Sequence, residues 1–170
     1  MRILEYLNAT IDQPYILERK GDLVILNCYA DASFAVHKDF KSHGSILLSC
    51  GQGFIWSKCG KHKLVTKSST EAELVTLIDA FSMTAWAMQF LKGQGYNVKG
   101  NLYQDNLSTI ALANNGRSFS DRTRHINKIR YFFIKHYLDN GTMTVEHCPA
   151  TEMISDILTK PCRVLFAVFN

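Results

Sequence analysis

The chain has 170 residues, 46% hydrophobic and 20% charged, which predicts one globular domain with a core of its own, and its net charge of +4 favours a polyanionic partner. Five scattered cysteines without a Cys-x-x-Cys pair exclude a disulfide framework and favour a reducing, intracellular and cytoplasmic setting. The N-terminus lacks the layout of a signal peptide, and we expect no membrane-spanning run, no membrane partner and no small-molecule cofactor.

The first sixty residues predict one short helix followed by strands. Ile3, Leu4, Leu7 and Ile11 recur at helical spacing and predict an amphipathic helix that stops before Pro14. Strands are predicted at 15–17, 23–29, 45–49 and 54–57. Tight turns join them, so neighbouring strands should pair antiparallel.

The longest predicted helix covers 71–91 and begins at two overlapping capping boxes. Ser68 with Glu71, and Thr70 with Glu73, each place a glutamate three residues after a hydroxyl side chain. An apolar stripe at helical spacing follows, formed by Leu74, Leu77, Ile78, Phe81, Ala85, Met88 and Leu91. Glu73 lies beside this stripe, where it is either a capping residue only or a functional carboxylate.

The second half of the chain alternates strands and helices. A strand at 101–104, a helix at 108–113, a helix at 126–138, a strand at 142–147 and a helix at 151–158 are predicted in that order. A strand–helix–strand crossover adds a parallel strand to the sheet. The fold class is therefore α/β, with a mixed central sheet of about five strands and helices packed on it.

Four isolated carboxylates occupy positions that could converge. Asp31 lies within an apolar strand, where an aspartate is costly unless its charge is paired or liganded. Asp105 follows a strand end, Glu73 lies in the long helix, and Asp156 lies in the last one. Carboxylates that meet repel one another unless cations lie between them, and oxygen ligands suit Mg²⁺ or Mn²⁺. Two such ions, about 3.5–4 Å apart, can activate water and stabilise the leaving oxygen of a phosphodiester.

Five motifs give the chain a family resemblance. They are Tyr29-Ala30-Asp31-Ala32-Ser33-Phe34, Thr66-Lys67-Ser68-Ser69-Thr70-Glu71-Ala72-Glu73-Leu74, Tyr103-Gln104-Asp105-Asn106-Leu107-Ser108, Arg122-Thr123-Arg124-His125-Ile126 and Asp156-Ile157-Leu158-Thr159-Lys160-Pro161. In these motifs and their order the chain resembles the ribonuclease H domain of copia-type (Pseudoviridae) LTR retrotransposon Pol polyproteins. The resemblance covers nearly the whole chain.

The resemblance implies a function and a site. The expected activity is metal-dependent cleavage of the RNA strand of RNA–DNA hybrids during retrotransposon reverse transcription, with two Mg²⁺ ions, or Mn²⁺, as cofactors. The catalytic and metal-binding residues it implies are Asp31, Glu73, Asp105 and Asp156. The nucleic-acid-binding residues it implies are Ser69, Thr70, Asn106, Arg124 and His125. For Ser69 and Thr70, helix capping is the alternative role.

The resemblance also implies a place in a longer chain. Residues 1–22 would end the connection region of an upstream reverse transcriptase, a partner in cis, with the ribonuclease H domain at 23–162 and a tail at 163–170. The protein would work in the cytoplasm, within virus-like particles, or in the nucleus.

Three alternatives stay open at this point. An extra residue at Asn127-Lys128, relative to the family pattern, keeps alive a catalytically silent domain that binds nucleic acid or supports a polyprotein. The basic stretch at 58–67 is either a solvated face or a phosphate contact. Cys59 with His62, and His147 with Cys148, have no matched second pair, which argues against a zinc knuckle.

Overall fold

The computed structural model describes residues 2–14, 17, 23–115 and 134–160. Its strands are β1 (Leu23–Ser33), β2 (His43–Cys50), β3 (Gly53–Lys61), β4 (Asn97–Gln104) and β5 (Met143–His147). Its helices are α1 (Arg2–Ala9), α2 (Ser69–Gly93), α3 (Leu107–Asn115), α4 (134–139) and α5 (Asp156–Thr159).

The five strands form one mixed sheet in the order β3-β2-β1-β4-β5. The turns after β1 and β2 give antiparallel pairs, whereas β4 and β5 each join the sheet parallel to their neighbour after a helical crossover. The predicted fold class is therefore confirmed, since the sheet is mixed, has five strands and has helices packed on it.

The register of β1 and β4 brings two aspartates to the same end of the sheet. Tyr29 pairs with Tyr103 across these parallel strands, and their rings stack with centroids 4.9 Å apart. Asp31 and Asp105 each follow two residues later. Both carboxylates therefore leave the sheet at the carboxyl ends of adjacent parallel strands, where ligands of α/β sheets commonly bind.

Helix α2 supplies much of the core. Leu77 and Phe81 are fully buried against the sheet, and the helix packs on β1, β2 and β4. At its start the Glu71 N–H donates to Ser68 Oγ (3.2 Å), and the Glu71 carboxylate accepts from the Lys67 N–H (2.7 Å). The first predicted capping box thus forms, with its return bond one residue before the N-cap.

The length of α2 corrects one expectation. By length and composition this 25-residue helix is apolar enough to cross a membrane, although no such run was expected. Its residues are largely buried against the sheet, as in the core helix of a globular domain.

Some element boundaries differ from the prediction. β3 continues to Lys61, so the basic stretch begins on a strand, and α5 is shorter than the helix predicted over 151–158. Leu4 and Leu7 of α1 are exposed, and so is Ile11 just after it. Most of the strand predicted at 15–17 and of the helix predicted at 126–138 lies outside the described residues.

A close approach between α2 and β4 predicts the effect of adding one methyl group. A Cβ on Gly100 would lie 2.9 Å from Thr84 Cγ2 and 3.0 Å from Met88 Sδ. We expect Gly100→Ala to lower the free energy of unfolding by about 1–3 kcal/mol, since α2 must shift. Urea denaturation measures this change.

Gly60→Ala in β3 is the matched control, because nothing lies within 4 Å of its added Cβ. Its free energy of unfolding should stay close to that of the wild type. Equal stabilities for the Gly100 and Gly60 variants would contradict the close packing of α2 on β4.

Candidate active site

Three carboxylates converge at the end of the sheet. One carboxylate oxygen each from Asp31, Glu73 and Asp105 lies within 4.8 Å of the other two. Asp31 comes from β1, Glu73 from the start of α2, and Asp105 directly follows β4. Asp31 and Glu73 are only 5% and 6% exposed, whereas Asp105 is half-buried. Residues that are 74 positions apart in the chain thus share one small space.

Gln104 joins two of these acidic residues through hydrogen bonds. Its side chain is fully buried at the end of β4, and its Nε2 donates to Glu73 Oε2 (3.2 Å). Its Oε1 accepts from the backbone N–H groups of Asp105 (2.8 Å) and Asn106 (3.3 Å). The amide therefore joins the start of α2 to the turn after β4.

The turn after β4 is fixed from its other side by α3. Asn106 Oδ1 accepts from the Thr109 N–H (3.1 Å) and so caps this helix. The Thr109 hydroxyl donates to the backbone carbonyl of Thr70 (3.4 Å), which ties α3 to α2. Asn106, one of the predicted nucleic-acid contacts, therefore has a structural role beside the cluster.

Asp156 and its neighbours Thr159 and Lys160, at the short helix α5, also contribute to the site. Asp156 begins α5, and its Oδ2 pairs with the Lys160 ammonium one turn later. Its Oδ1 is buried and has no hydrogen-bond partner among the described residues. The Thr159 hydroxyl donates to Asp31 Oδ2, so α5 contacts the cluster directly.

The electrostatics of the site reflect crowded negative charge. Burial first, and then the charges of Asp31 and Asp105, raise the pKa of Glu73 to about 8, against the opposing Gln104 hydrogen bond. Burial also raises the pKa of Asp31, and the Asp156 and Asp105 charges add to this, while the Thr159 hydrogen bond lowers it. The ionised cluster is therefore costly without positive charge beside it.

One cation of the chain already lies at this site. The hydrogen bond from Lys160 to Asp156 raises the pKa of Lys160, and the charges of Asp31 and Asp105 act in the same direction. The donor set of the cluster consists of hard carboxylate oxygens, which fits Mg²⁺ or Mn²⁺ better than zinc. Asp31, Glu73 and Asp105 would hold such an ion, with the unpartnered Asp156 Oδ1 as a further donor.

The structure separates the predicted site residues into three groups. Asp31, Glu73 and Asp105 meet, while Asp156 is coupled to them through its effect on Asp31. Ser69 is exposed and Thr70 half-buried in the first turn of α2, near the cluster in sequence. The last two predicted nucleic-acid contacts, Arg124 and His125, lie outside the described residues.

Two sequence interpretations are wrong in detail. The second capping box does not form, because Ser68 is the N-cap of α2 and Glu73 points to Gln104 instead. The functional neighbours Gln104 and Lys160 were missed as site residues. The only signal for them was their position in the Gln-Asp-Asn and Thr-Lys-Pro segments that flank two of the aspartates.

Two lysines of the basic stretch at 58–67 pair with carboxylates outside the cluster. Lys58 pairs with Asp79 and Lys61 with Asp39, each at 3.0 Å. A groove of about 370 Å³ between β3 and α2 is lined partly by Lys58, Lys61 and Lys63. Two of these lysines are therefore already neutralised by carboxylates of the chain.

Sequence comparison finds relatives of the chain among the Pol polyproteins of transposons. It is 32% identical over 174 residues to the retrovirus-related Pol polyprotein from transposon RE2 of Arabidopsis thaliana, covering 99% of this chain and 12% of the relative. The corresponding protein of transposon TNT 1-94 from Nicotiana tabacum is 32% identical over 93% of this chain and 12% of its own length. The chain is homologous over nearly its full length to a segment of copia-type retrotransposon Pol polyproteins. It spans about an eighth of the length of these relatives, and no family model matches it.

Solved structures identify the fold of this copia-type Pol segment as that of ribonuclease H. Ribonuclease H1 from the archaeon Halobacterium salinarum NRC-1 superposes with a TM-score of 0.56 at 16% identity, covering 79% of this chain and 93% of that one. An N-terminal ribonuclease H domain from Mycobacterium tuberculosis gives 0.58 at 11% identity, over 80% and 91%. LC11-RNase H1, solved in complex with an RNA/DNA hybrid, gives 0.57 at 11% identity, over 78% and 92%. Both parts of the predicted family resemblance are therefore confirmed.

The Gln104 bridge predicts a large loss of stability in one variant. Gln104→Leu would leave Glu73 Oε2 and two backbone N–H groups without this partner. We expect the free energy of unfolding to fall by about 2–4 kcal/mol, because unsatisfied buried polar groups cost about 1–3 kcal/mol each. Chemical denaturation measures the change, with Gln52→Leu at an exposed turn position as the matched control. Similar stabilities for the two variants would contradict the role of the bridge.

The raised pKa of Glu73 predicts an unusual dependence of stability on pH. The folded protein holds the Glu73 proton up to a pKa of about 8, whereas the unfolded chain releases it near the ordinary glutamate pKa of 4.5. The free energy of unfolding of the metal-free protein should therefore fall as the pH rises through this window.

Glu73→Gln removes this titration and keeps an acceptor for Gln104. In EDTA at pH 8 we expect its melting temperature to exceed that of the wild type by several degrees, with a smaller difference at pH 5. Calorimetric melts at both pH values measure the difference, and the exposed Glu152→Gln is the control. If the melting temperature of Glu73→Gln exceeded that of the wild type by less at pH 8 than at pH 5, the raised pKa of Glu73 would be contradicted.

Proposed function

We propose that this domain is a metal-dependent endoribonuclease that hydrolyses the RNA strand of RNA–DNA hybrids during reverse transcription of a retrotransposon. The observation that carries the proposal is the convergence of Asp31, Glu73 and Asp105 in a ribonuclease H fold. Such a buried group of like charges is stable in its ionised form only with cations between the carboxylates.

The four acidic residues of the site would each act as a metal ligand. Asp31 lies on β1 and Asp105 directly follows the adjacent β4, and together with Glu73 and Asp156 these residues would hold two metal ions. Bound there, two Mg²⁺ or Mn²⁺ ions would activate a water and stabilise the charge that develops on the phosphodiester.

The neighbouring residues would fix the geometry of these ligands. Gln104 orients the Glu73 carboxylate, and the Thr159 hydroxyl orients that of Asp31. Asp156 could offer its unpartnered Oδ1 to an ion while its Oδ2 keeps the contact with Lys160. The ammonium group of Lys160 would lie beside the site, where it could also contact a phosphate of the substrate.

The hybrid would lie across the start of α2 and the turn after β4. Ser69 and Thr70 are placed there with hydroxyl groups that can contact a 2′-hydroxyl, the group that distinguishes RNA from DNA. Asn106 keeps its amide nitrogen for such a contact while its oxygen caps α3. We propose backbone contacts for Arg124 and His125 from their basic motif alone.

The relatives support a setting within a larger protein. Each is a Pol polyprotein, of which this chain spans about an eighth. We propose that a reverse-transcriptase domain precedes residue 23 in cis and supplies the hybrid, with residues 1–22 as part of the connection. The domain would act where reverse transcription occurs, in the cytoplasm or within virus-like particles.

A cleavage assay tests the activity directly. Labelled RNA annealed to DNA is incubated with the protein and Mg²⁺ or Mn²⁺, beside single-stranded RNA, duplex RNA and duplex DNA. We expect cleavage of the hybrid alone. Asp31→Asn and Asp105→Asn should each lower the rate at least about 100-fold, because even the outer partners of metal ligands are typically worth 10–100-fold.

The matched control is Asp79→Asn, which removes an exposed α2 carboxylate that pairs with Lys58 and not with the cluster. Its rate should equal that of the wild type. No cleavage with either metal, from a folded protein that still binds the hybrid, would contradict the proposal and favour a catalytically silent nucleic-acid-binding domain.

Metal binding can be tested apart from activity. Mg²⁺ should raise the melting temperature of the wild type, by an amount that grows with ion concentration over its dissociation constant. Asp105→Asn should abolish most of this shift, and Asp79→Asn should keep it. An equal shift in all three proteins would show that Mg²⁺ acts elsewhere.

A further inference from the structure

A second group of chemically active side chains lies on the edge half of the sheet. Ser45 pairs with both Asp31 and Cys59, so these residues form one row across three strands. Cys59 is therefore two strands from Asp31, roughly 10 Å at the usual strand spacing. His43 lies two residues before Ser45 and is thus the diagonal cross-strand neighbour of Cys59 on the same face.

These residues form a continuous chain of contacts with a third side chain. Cys59 Sγ lies 3.5 Å from His43 Nε2, and His43 Nδ1 lies 3.1 Å from His37 Nε2. His37 is held by a tight loop, in which its N–H donates to the Lys41 carbonyl (3.2 Å) and its carbonyl accepts from the Phe40 N–H (2.9 Å). A thiol, a base and a group that orients the base are therefore aligned.

The partner of Cys59 differs from the one in the zinc-knuckle alternative, which the sequence already argued against. That alternative joins Cys59 to His62, three residues later. In the structure His62 Nε2 contacts Thr76 Oγ1 (2.9 Å), and the partner of Cys59 is His43, sixteen positions earlier. Sequence spacing could not show this, because the contact depends on the pairing of β2 with β3.

The surroundings of the chain of contacts suit a reactive thiol. Cys59 is exposed, whereas Cys28 and Cys148 are buried and Cys50 is half-buried. Burial lowers the pKa of His43, and the nearby His37 lowers it further, so His43 is neutral near pH 7 and can accept a proton. Lys61 stands opposite His43 on β3 and adds positive charge, although Asp39 pairs with it. Nucleophilic cysteines typically occupy such exposed positions beside a base.

We propose that Cys59 is a nucleophilic thiol, activated by His43 and with His37 as a positioning residue, that forms mixed disulfides with small-molecule disulfides. In this reaction Sγ attacks one sulfur of the disulfide as the thiol proton passes to His43 Nε2. The Sγ–S bond forms, the S–S bond of the small molecule breaks, and the released thiolate takes the proton from His43. One disulfide and one thiol are consumed, and one of each is produced.

The test measures the reactivity of each cysteine in the full chain. Reduced protein is treated with iodoacetamide, and separately with oxidised glutathione, and peptide mass spectrometry gives the rate at each cysteine. Cys59 should react faster than Cys50, Cys28 and Cys148, and at least about tenfold faster than the free thiol of reduced glutathione at the same pH. The mixed disulfide should form at Cys59 and be reversed by dithiothreitol.

Variants separate activation by His43 from exposure alone. His43→Gln should slow the reaction of Cys59 at least about tenfold, since general-base assistance typically contributes 100-fold or more. His37→Gln should slow it by less. His136→Gln, at an exposed position on α4, is the matched control and should leave the rate unchanged. Thermal melts of each variant establish that the fold is kept.

Two results would overturn the proposal. One is a Cys59 rate equal to that of glutathione and unchanged in folded His43→Gln. The other is purified protein that carries zinc at this position, with alkylation of Cys59 appearing only after EDTA removes the ion. The second result would assign the Cys59–His43 pair to metal binding.

Discussion

The repulsion between carboxylates at the end of the sheet is the constraint on which the rest of the site depends. Asp31, Glu73 and Asp105 place oxygens within 4.8 Å of one another, and burial removes most of the water that would screen them. The pKa of Glu73 rises to about 8 as a result. This arrangement lowers the stability of the folded domain at neutral pH unless cations offset the repulsion. Strongly shifted pKa values of this kind are typical of functional sites.

The fold meets this constraint by fixing each carboxylate from a rigid element. Parallel pairing of β1 with β4 sets the separation of the two aspartates, and α2 delivers Glu73 over the sheet. Gln104 then locks the helix to the strand end through three hydrogen bonds. Lys160 supplies a positive charge beside Asp156. Metal ligands held in this way need little rearrangement when ions bind, which favours both affinity and catalysis.

The sequence predicted the mixed sheet from local signals, and it predicted that four carboxylates could converge. Asp31, Glu73 and Asp105 do meet, with Asp156 close to Asp31. The tight turns and helical crossovers give the antiparallel and parallel pairs, and the pairing of β1 with β4 places Asp31 beside Asp105. The sequence did not predict the Gln104 bridge, the Lys160 contact or the Cys59–His43 pair. No sequence motif or spacing marks these three contacts. The Gln104 bridge and the Cys59–His43 pair also depend on tertiary packing and on strand register. The roles of Arg124 and His125 stay predictions.

Diffraction from crystals grown with Mn²⁺ near pH 8 tests the central claim most directly, because anomalous scattering locates the ion without reference to activity. We expect strong anomalous peaks between the carboxylates of Asp31, Glu73 and Asp105, with Asp156 Oδ1 as a further ligand. An empty cluster in Mn²⁺-saturated crystals would contradict the proposed metal site.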